Sequence, residues 1–346
     1  MTGANIAERF KYLREMLVPK FGKGAGWYGA RGPMKRYIYK LDDADLQLIR
    51  LHAAFIGGLE PDYYRHVGRG APELEAYAAL TAGIRPELHL GEPALPEGVP
   101  PFGVVAPNGK IVNLDINRYQ EVVTNLHLTG VLKWLGSKRQ RPVVCEIGGG
   151  FGGLALQLAQ RVPDCIYVLV DLPEILFLAG AYLATNALAW SEIRVFDAGE
   201  PLAFDHSRGK KVTFVLVPHT DYERLPALDF DLAINTLSMQ EMGQESVDGY
   251  VAFLKKRLEG VFYASNWSKH VANDALTRTI DETLAASFEV TPEPSVYRSW
   301  RNRKKFQFGL AENVFLCARK DGHGRELAGM IRAARGQVVL PIRLRF

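Results

Sequence analysis

The sequence predicts an α/β protein built on a mostly parallel β-sheet, and two observations support this prediction. From residue 142 onwards, apolar runs of strand length alternate with longer segments of helical character, which is the pattern of a parallel sheet. The apolar run 143–147 also leads through a cluster of glycines into a helix-forming stretch at 154–159. A strand, a tight glycine turn and a helix form the opening unit of nucleotide-binding α/β domains.

The glycine turn fits two ligand-binding patterns. Gly148, Gly150 and Gly153 have the spacing of a dinucleotide site, which would make the protein an NAD-dependent dehydrogenase. Glu146, Gly148, Gly150 and Gly152 have the spacing of class I S-adenosylmethionine methyltransferases, with an acid two residues before the first glycine. A carboxylate there repels a pyrophosphate but attracts the ammonium and sulfonium of S-adenosylmethionine. Glu146 therefore favours S-adenosyl-L-methionine as the cofactor.

A second acid supports a ribose-containing ligand. Asp171 ends the β-branched, apolar run 166–171, about 20 residues after Gly152, where an acid can accept hydrogen bonds from both ribose hydroxyls. Pro173 then lies in the first turn of a helix, where its missing N–H is harmless. Asp171 could instead cap this helix, and the two roles can coexist.

Four segments of the sequence carry a resemblance to a known family. They are Cys-Glu-Ile-Gly-Gly-Gly-Phe-Gly-Gly at 145–153, Val-Asp-Leu-Pro-Glu at 170–174, Asn-Thr-Leu-Ser-Met-Gln-Glu-Met at 235–242, and Asn266. Over residues 115–320 the chain resembles the bacterial putative sugar O-methyltransferases. The resemblance implies a class I methyltransferase fold, S-adenosylmethionine as cofactor and methyl transfer to a hydroxyl of a sugar or a related natural product.

We assign the site residues from these motifs and from the positions of the strand ends. The expected cofactor-binding residues are Glu146, Gly148, Gly150, Gly152, Asp171, Leu172, His219 and Asn235. Ligands of this fold bind outside the carboxyl ends of the strands, so Ser238, Gln240 and Asn266 are expected to contact the substrate.

Methyl transfer to a hydroxyl needs a group that removes the proton of the hydroxyl. Glu241 is the first candidate for this base and His270 the second. Ser238 falls about where plant-type O-methyltransferases carry a catalytic histidine, so their mechanism does not transfer directly. A carboxylate or amine acceptor on a natural product or peptide, and a cofactor-binding protein without catalysis, remain alternatives.

The chain divides into three predicted parts. Residues 1–140 form a mainly helical accessory region for substrate recognition, with a hairpin at Asn108-Gly109. Residues 141–320 form the cofactor-binding domain, which ends in an antiparallel hairpin strand. Residues 321–346 form an extension that packs either on the accessory region or on a second subunit, so a homodimer is one of two alternatives.

Local patterns predict the limits of three helices and one strand. Residues 115–136 are expected to form one helix, and a helix capped at residue 42 or 43 is expected to run to residue 57. Residues 212–217 are preferred as the third strand, which leaves 191–210 as an insertion. A further helix is expected over 271–287.

The composition limits the classes of function. The chain has 346 residues, is 47% hydrophobic and has a net charge of only +4, which disfavours a protein that coats nucleic acid. No apolar run approaches the roughly 18 residues of a membrane span, and the first residues lack the pattern of a signal peptide. We therefore expect a small-molecule substrate, with no nucleic-acid or membrane partner.

The cysteines indicate the compartment. Cys145, Cys165 and Cys317 lie in apolar runs, and no pair has the spacing of a zinc site. Buried, reduced thiols of this kind are typical of a cytoplasmic protein. The proposed chemistry requires no metal.

Overall fold

The computed structural model describes residues 3–22, 31–57, 71–200, 202–268, 273–293 and 312–337. The helices before the main sheet are α1 (Gly3–Leu17), α2 (Arg31–Lys40), α3 (Asp43–Gln47), α4 (Ile49–His52), α5 (Ala71–Thr81), α6 (Leu114–Leu128) and α7 (Val131–Gly136). A two-stranded antiparallel hairpin of β1 (Val104–Val105) and β2 (Ile111–Val112) lies between α5 and α6, as the Asn108-Gly109 pair predicted.

The second part of the chain alternates strands and helices. Its strands are β3 (Val143–Ile147), β4 (Ile166–Asp171), β5 (Ser191–Val195), β6 (Val212–Pro218), β7 (Phe230–Thr236), β8 (Leu258–Trp267), β9 (Glu289–Glu293) and β10 (Glu312–Ala318). Its helices are α8 (Gly153–Ala159), α9 (Pro173–Ala187), α10 (Gln244–Arg257), α11 (Ile280–Ser287) and α12 (Gly322–Gln337).

These strands form an eight-stranded sheet in the order β5-β6-β4-β3-β7-β8-β10-β9. The first six strands in this order, β5-β6-β4-β3-β7-β8, pair in parallel with their neighbours. Strand β10 is antiparallel to both β8 and β9. The predicted fold class, a parallel sheet with a C-terminal antiparallel hairpin strand, is therefore confirmed. The strand order reverses on either side of β3, which creates the crevice where ligands of open α/β sheets bind.

Both faces of the sheet are covered, which explains why its strands read as continuous apolar runs. On one face, Val144 and Leu169 belong to a hydrophobic cluster with residues of α1, α6, α8 and α9. On the other face, Cys145 and Val168 pack with residues of α10 and α11. Helix α1 lies against α9 at Gly180, where an added Cβ would lie 2.7 Å from the Leu13 side chain.

The sheet has one strand more than predicted. Residues 212–217 do form the strand next to β4, but residues 191–195 are not part of an insertion, because they pair in parallel with β6 at the edge of the sheet. Buried and partly exposed side chains alternate along this strand. Such alternation is typical of a strand covered on only one face.

Three helix predictions were wrong in their limits. Gly130 takes a left-handed conformation (φ 77°) and ends the helix predicted over 115–136, so that α6 and α7 are separate. The helix predicted to end at residue 57 breaks at Leu48 (φ −101°, ψ 20°). The helix predicted from residue 271 begins at Ile280, because Thr279 and Glu282 form a capping box there.

A buried ionic cluster joins the accessory region to the glycine turn. Arg50 of α4 is 3% exposed. It donates two hydrogen bonds to Glu92 (2.8 and 3.2 Å) and one to Asp115 of α6 (2.8 Å). Its guanidinium also lies 4.3 Å from the ring centroids of both Phe102 and Phe151, and Phe151 belongs to the glycine turn. This cluster fixes the start of α6 above the sheet.

We expect Arg50→Met to destabilise the protein by about 3–5 kcal/mol, because it leaves the buried carboxylates of Glu92 and Asp115 without their cation. The free energy of unfolding in urea measures this loss. Arg278→Met is the matched control: Arg278 pairs with Asp248 at the surface, where both side chains are about half exposed, so its loss should stay below about 1 kcal/mol. Equal losses in the two variants would contradict the importance of the buried cluster.

Candidate functional site

A cleft of about 250 Å³ lies at the carboxyl ends of the parallel strands. It is lined by the glycine turn after β3 and by residues that follow β4, β6 and β7. Residues of β8, α6 and α10 complete its walls. The volume is close to the lower end of the range for small-molecule pockets, about 300–1,000 Å³.

The glycine turn forms one wall because its residues need conformations and space that a side chain would prevent. Gly148, Gly150 and Gly152 all have positive φ angles of 72°, 56° and 81°. A Cβ at Gly148 would overlap the side chain of Ser238. Gly148 and Gly150 line the cleft, whereas Gly152 does not and instead precedes the first residue of α8.

The turn after β7 lies against the glycine turn and is held there by Asn235. The Asn235 amide donates hydrogen bonds to the Ile147 carbonyl (2.7 Å) and to Ser238 Oγ (2.6 Å). Between them, Leu237 takes the left-handed conformation (φ 53°), which is uncommon for this residue type. The Leu237 N–H donates to the Ser265 carbonyl of β8 (2.8 Å), which holds the turn from the other side.

Glu146 is the last residue but one of β3, just before the glycine turn, and it lines the cleft. Its side chain is 1% exposed and accepts a hydrogen bond from the Tyr167 hydroxyl at 2.8 Å. Burial raises the pKa of Glu146 to about 8, and the neighbouring Asp171 carboxylate adds to the rise. A cation placed next to Glu146 would stabilise its ionised form.

Asp171 ends β4 and also lines the cleft. Its carboxylate accepts hydrogen bonds from the backbone N–H groups of Gly150 (2.9 Å) and Leu172 (2.7 Å). Burial raises the pKa of Asp171 to about 7, although both hydrogen bonds act against this rise. The side chain therefore supports the glycine turn and at the same time presents carboxylate oxygens at the cleft, as expected for two coexisting roles.

The structure brings most of the predicted site residues together. Of the remaining ones, Leu172, His219, Ser238 and Glu241 line the cleft. Glu241 follows β7 at the end of a short 3-10 turn, and its charge contributes to the raised pKa of Asp171.

Besides Gly152, four of the predicted site residues do not line the described part of the cleft. Asn235 and Asn266 are buried below it, where the Asn266 amide donates to Asn235 Oδ1 at 2.8 Å. Gln240 is 1% exposed and its backbone carbonyl accepts a hydrogen bond from Asn273. His270 lies outside the described residues.

Sequence analysis missed the contribution of α6. Arg118 and Tyr119 of this helix line the cleft, together with Tyr250 of α10 and Tyr263 of β8. The spacing of Arg118, Tyr119 and Val122 does place them on one helical face, but only the fold shows that this face meets the cleft. These residues add a permanent positive charge and aromatic rings to a cleft otherwise rich in acids.

The described part of the chain contains no group of three or more histidine, cysteine, aspartate or glutamate residues placed to hold a metal ion. None of its helices is long and apolar enough to span a membrane. Cys145, Cys165 and Cys317 are buried free thiols, as expected.

Comparisons with known proteins find likenesses among solved structures only. The sequence matches no family model and no curated protein. The structure is similar to magnesium protoporphyrin IX methyltransferase from Synechocystis PCC 6803 with bound SAM, at 12% identity over 75% of this chain and 97% of that chain, with a TM-score of 0.35.

Two other solved structures show a similar level of likeness. An O-methyltransferase family protein from Burkholderia thailandensis is 12% identical over 60% of this chain and 63% of that chain, with a TM-score of 0.36. A TehB-like SAM-dependent methyltransferase from Corynebacterium glutamicum is 15% identical over 59% of this chain and 97% of that chain, with a TM-score of 0.35. These likenesses concern the fold alone.

We expect Gly148→Ala to destabilise the protein by more than the roughly 1–2 kcal/mol of a left-handed alanine, because its Cβ would also overlap Ser238. Gly98→Ala is the matched control, since Gly98 has a similar φ (83°) and no atom within 4 Å of an added Cβ. The double variant Gly148→Ala/Ser238→Gly should recover the difference between the two single variants in urea unfolding. Equal costs for Gly98→Ala and Gly148→Ala would contradict the close packing of the two turns.

Proposed function

We propose that the protein is an S-adenosylmethionine-dependent methyltransferase that acts on a hydroxyl of a sugar or a related natural product. The observation that carries this proposal is the pair of carboxylates in the wall of one cleft beside a glycine turn, Glu146, which is buried, and Asp171, which is partly exposed. Their spacing along the strand ends fits a ligand with a cationic end and a ribose diol.

The residues present fit this cofactor better than a dinucleotide. The charged end of S-adenosylmethionine carries an ammonium and a sulfonium, which favour the ionised form of Glu146. A pyrophosphate in the same place would disfavour that form and leave the buried carboxyl without a partner other than Tyr167. Asp171 is placed to accept hydrogen bonds from the ribose hydroxyls. His219, after β6, and Tyr250 of α10 also line the cleft, and we assign them to the adenine of the cofactor.

The cofactor, when bound, supplies a methyl group made electrophilic by a sulfonium. The contribution of the protein is then to hold the acceptor oxygen in line with that group and to take its proton. Glu241 lines the cleft after β7 and is the described carboxylate that we assign as the base. His270 remains the second candidate from the sequence.

The acceptor class is supported by the polar groups of the cleft. Thr236, Ser238 and Ser265 bring hydroxyls to its wall, and Tyr119 and Tyr263 bring aromatic rings. Hydroxyl groups and aromatic faces together suit a polyhydroxylated acceptor, and the motifs at 170–174 and 235–242 resemble those of the sugar O-methyltransferases. A carboxylate or amine acceptor is the second candidate.

Equilibrium binding to the purified protein tests the cofactor. We expect S-adenosylhomocysteine to bind and NAD to bind far more weakly or not at all. Tight binding of NAD without binding of S-adenosylhomocysteine would identify a dehydrogenase instead. Binding of S-adenosylhomocysteine without methyl transfer from S-adenosylmethionine to any member of a broad hydroxyl panel would favour a non-catalytic protein.

The affinity of the protein for S-adenosylhomocysteine should increase as the pH rises from 6 to 8. The pKa values of Asp171 and Glu146 are raised to about 7 and about 8, so both groups are largely protonated at pH 6. Both ionise on binding, because the ligand places its ammonium beside Glu146 and donates ribose hydroxyl hydrogen bonds to Asp171. Each proton released can add up to about tenfold in affinity per pH unit. Calorimetry in two buffers of different ionisation enthalpy measures this release. Affinity that is independent of pH in the wild type, or unchanged pH dependence in Glu146→Gln, would contradict the assignment.

Glu241→Gln should lower turnover by about 10²–10⁴-fold and leave the affinity for S-adenosylhomocysteine near the wild-type value, because glutamine keeps the shape but cannot take a proton. Glu245→Gln is the matched control, since Glu245 is exposed on the first turn of α10. Full activity in Glu241→Gln with loss in His270→Ala would move the role to His270. Full activity in both variants would indicate an acceptor that is already deprotonated, such as a carboxylate.

A further inference from the structure

One face of α6 forms the wall of the cleft opposite the sheet. Asp115, Arg118, Tyr119 and Val122 follow the spacing of a single helical face, and all four line the cleft. Arg118 is partly shielded, with 23% of its side chain exposed. The helix therefore brings a guanidinium to a place that no sequence motif marks.

The position of α6 shows which end of the cleft Arg118 serves. At the start of α8, an added Cβ at Gly153 would lie 2.6 Å from the Tyr119 hydroxyl, so α6 lies directly on the end of the glycine turn. Further along α6, the Asn125 amide donates to the Tyr263 hydroxyl of β8 at 3.3 Å. The helix thus covers the side of the sheet from β3 to β8, whereas Asp171 lies on the other side, at the end of β4.

The charges of the cleft are strongly unequal. Its described lining includes five acids, Asp115, Glu121, Glu146, Asp171 and Glu241. Arg118 is the one arginine or lysine among the described lining residues. Among these described residues, Arg118 is therefore the side chain with a fixed positive charge that attracts the negative group of a ligand with separate charges.

The guanidinium of Arg118 forms an ion pair with Asp115 but no direct hydrogen bond to it. The distance from Arg118 Nη1 to Asp115 Oδ1 is 3.7 Å, which is too long for a hydrogen bond. Asp115 instead accepts a hydrogen bond from the buried Arg50 at 2.8 Å. Arg50 thereby holds Asp115 and the first turn of α6 in place.

We propose that Arg118 binds the α-carboxylate of the amino-acid part of S-adenosylmethionine, a proposal that rests on the proposed cofactor. This assignment gives each polar part of the ligand a partner: Glu146 takes the ammonium, Asp171 takes the ribose hydroxyls and Arg118 takes the carboxylate. A guanidinium suits this role because its planar N–H groups match a carboxylate in pairs.

Binding of three ligands to the purified protein tests the assignment. They are S-adenosylhomocysteine, its decarboxylated analogue, which keeps the amine, and 5′-methylthioadenosine, which lacks the whole amino-acid part. We expect Arg118→Gln to weaken S-adenosylhomocysteine binding by about 10- to 100-fold, the range for a hydrogen bond between charged groups. The affinities for the other two ligands should change less than about twofold, and Arg118→Lys should restore part of the loss.

Arg85→Gln is the matched control, because this substitution removes the same charge from an exposed residue that is not among the described lining residues of the cleft. It should leave all three affinities unchanged, and thermal unfolding should show that both variants are folded. Equal losses for all three ligands in Arg118→Gln would overturn the proposal and make Arg118 a residue that only shapes the cleft.

Two other outcomes separate this proposal from the proposed function. Unchanged S-adenosylhomocysteine affinity in Arg118→Gln would overturn the role of Arg118 while the cofactor assignment stands; a raised KM for the acceptor in that variant would then place Arg118 on the acceptor. Failure of the wild-type protein to bind S-adenosylhomocysteine would remove the proposed function and the role of Arg118 together.

Discussion

The close approach of two turns at the carboxyl ends of β3 and β7 is the constraint on which the cleft depends. The turns can meet because Gly148 has no side chain where Ser238 lies. Asn235 holds them together through hydrogen bonds to the Ile147 carbonyl and to Ser238 Oγ. Since residues of both turns line the cleft, their close approach holds two parts of its wall together.

The carboxyl ends of β3 and β4 bring two acids to the edge of an apolar sheet. Desolvation raises the pKa values of Glu146 and Asp171. Within the described residues, the hydrogen bonds to their carboxylates come from neutral groups, those of Tyr167, Gly150 and Leu172. Buried acids of this kind are costly for folding and are typical of functional sites. A ligand that supplies positive charge would relieve this cost, which links the electrostatics of the fold to the proposed cofactor.

Residues 1–140, the predicted accessory region, contribute to the described lining of the cleft through Ile56 and through one face of α6. Arg50 bridges Glu92 and Asp115 and packs between two phenylalanine rings, so the start of α6 is fixed against the glycine turn. The face of α6 that carries Arg118 and Tyr119 then becomes a wall of the cleft. The buried ionic cluster therefore acts on the site through the position of a helix.

The sequence by itself determined the parts of the protein that depend on neighbours in the chain. The order of strands and helices and the glycine turn follow from local patterns, and so does the placing of Glu146 and Asp171 at strand ends, because a strand, a turn and a helix are formed by consecutive residues. The tertiary structure decided what depends on distant contacts. It placed Asn235 and Asn266 below the cleft, where they bond to each other, and added an edge strand at 191–195. It also brought Arg118 to the ligand side, because the position of α6 is set by Arg50, a residue far from it in sequence.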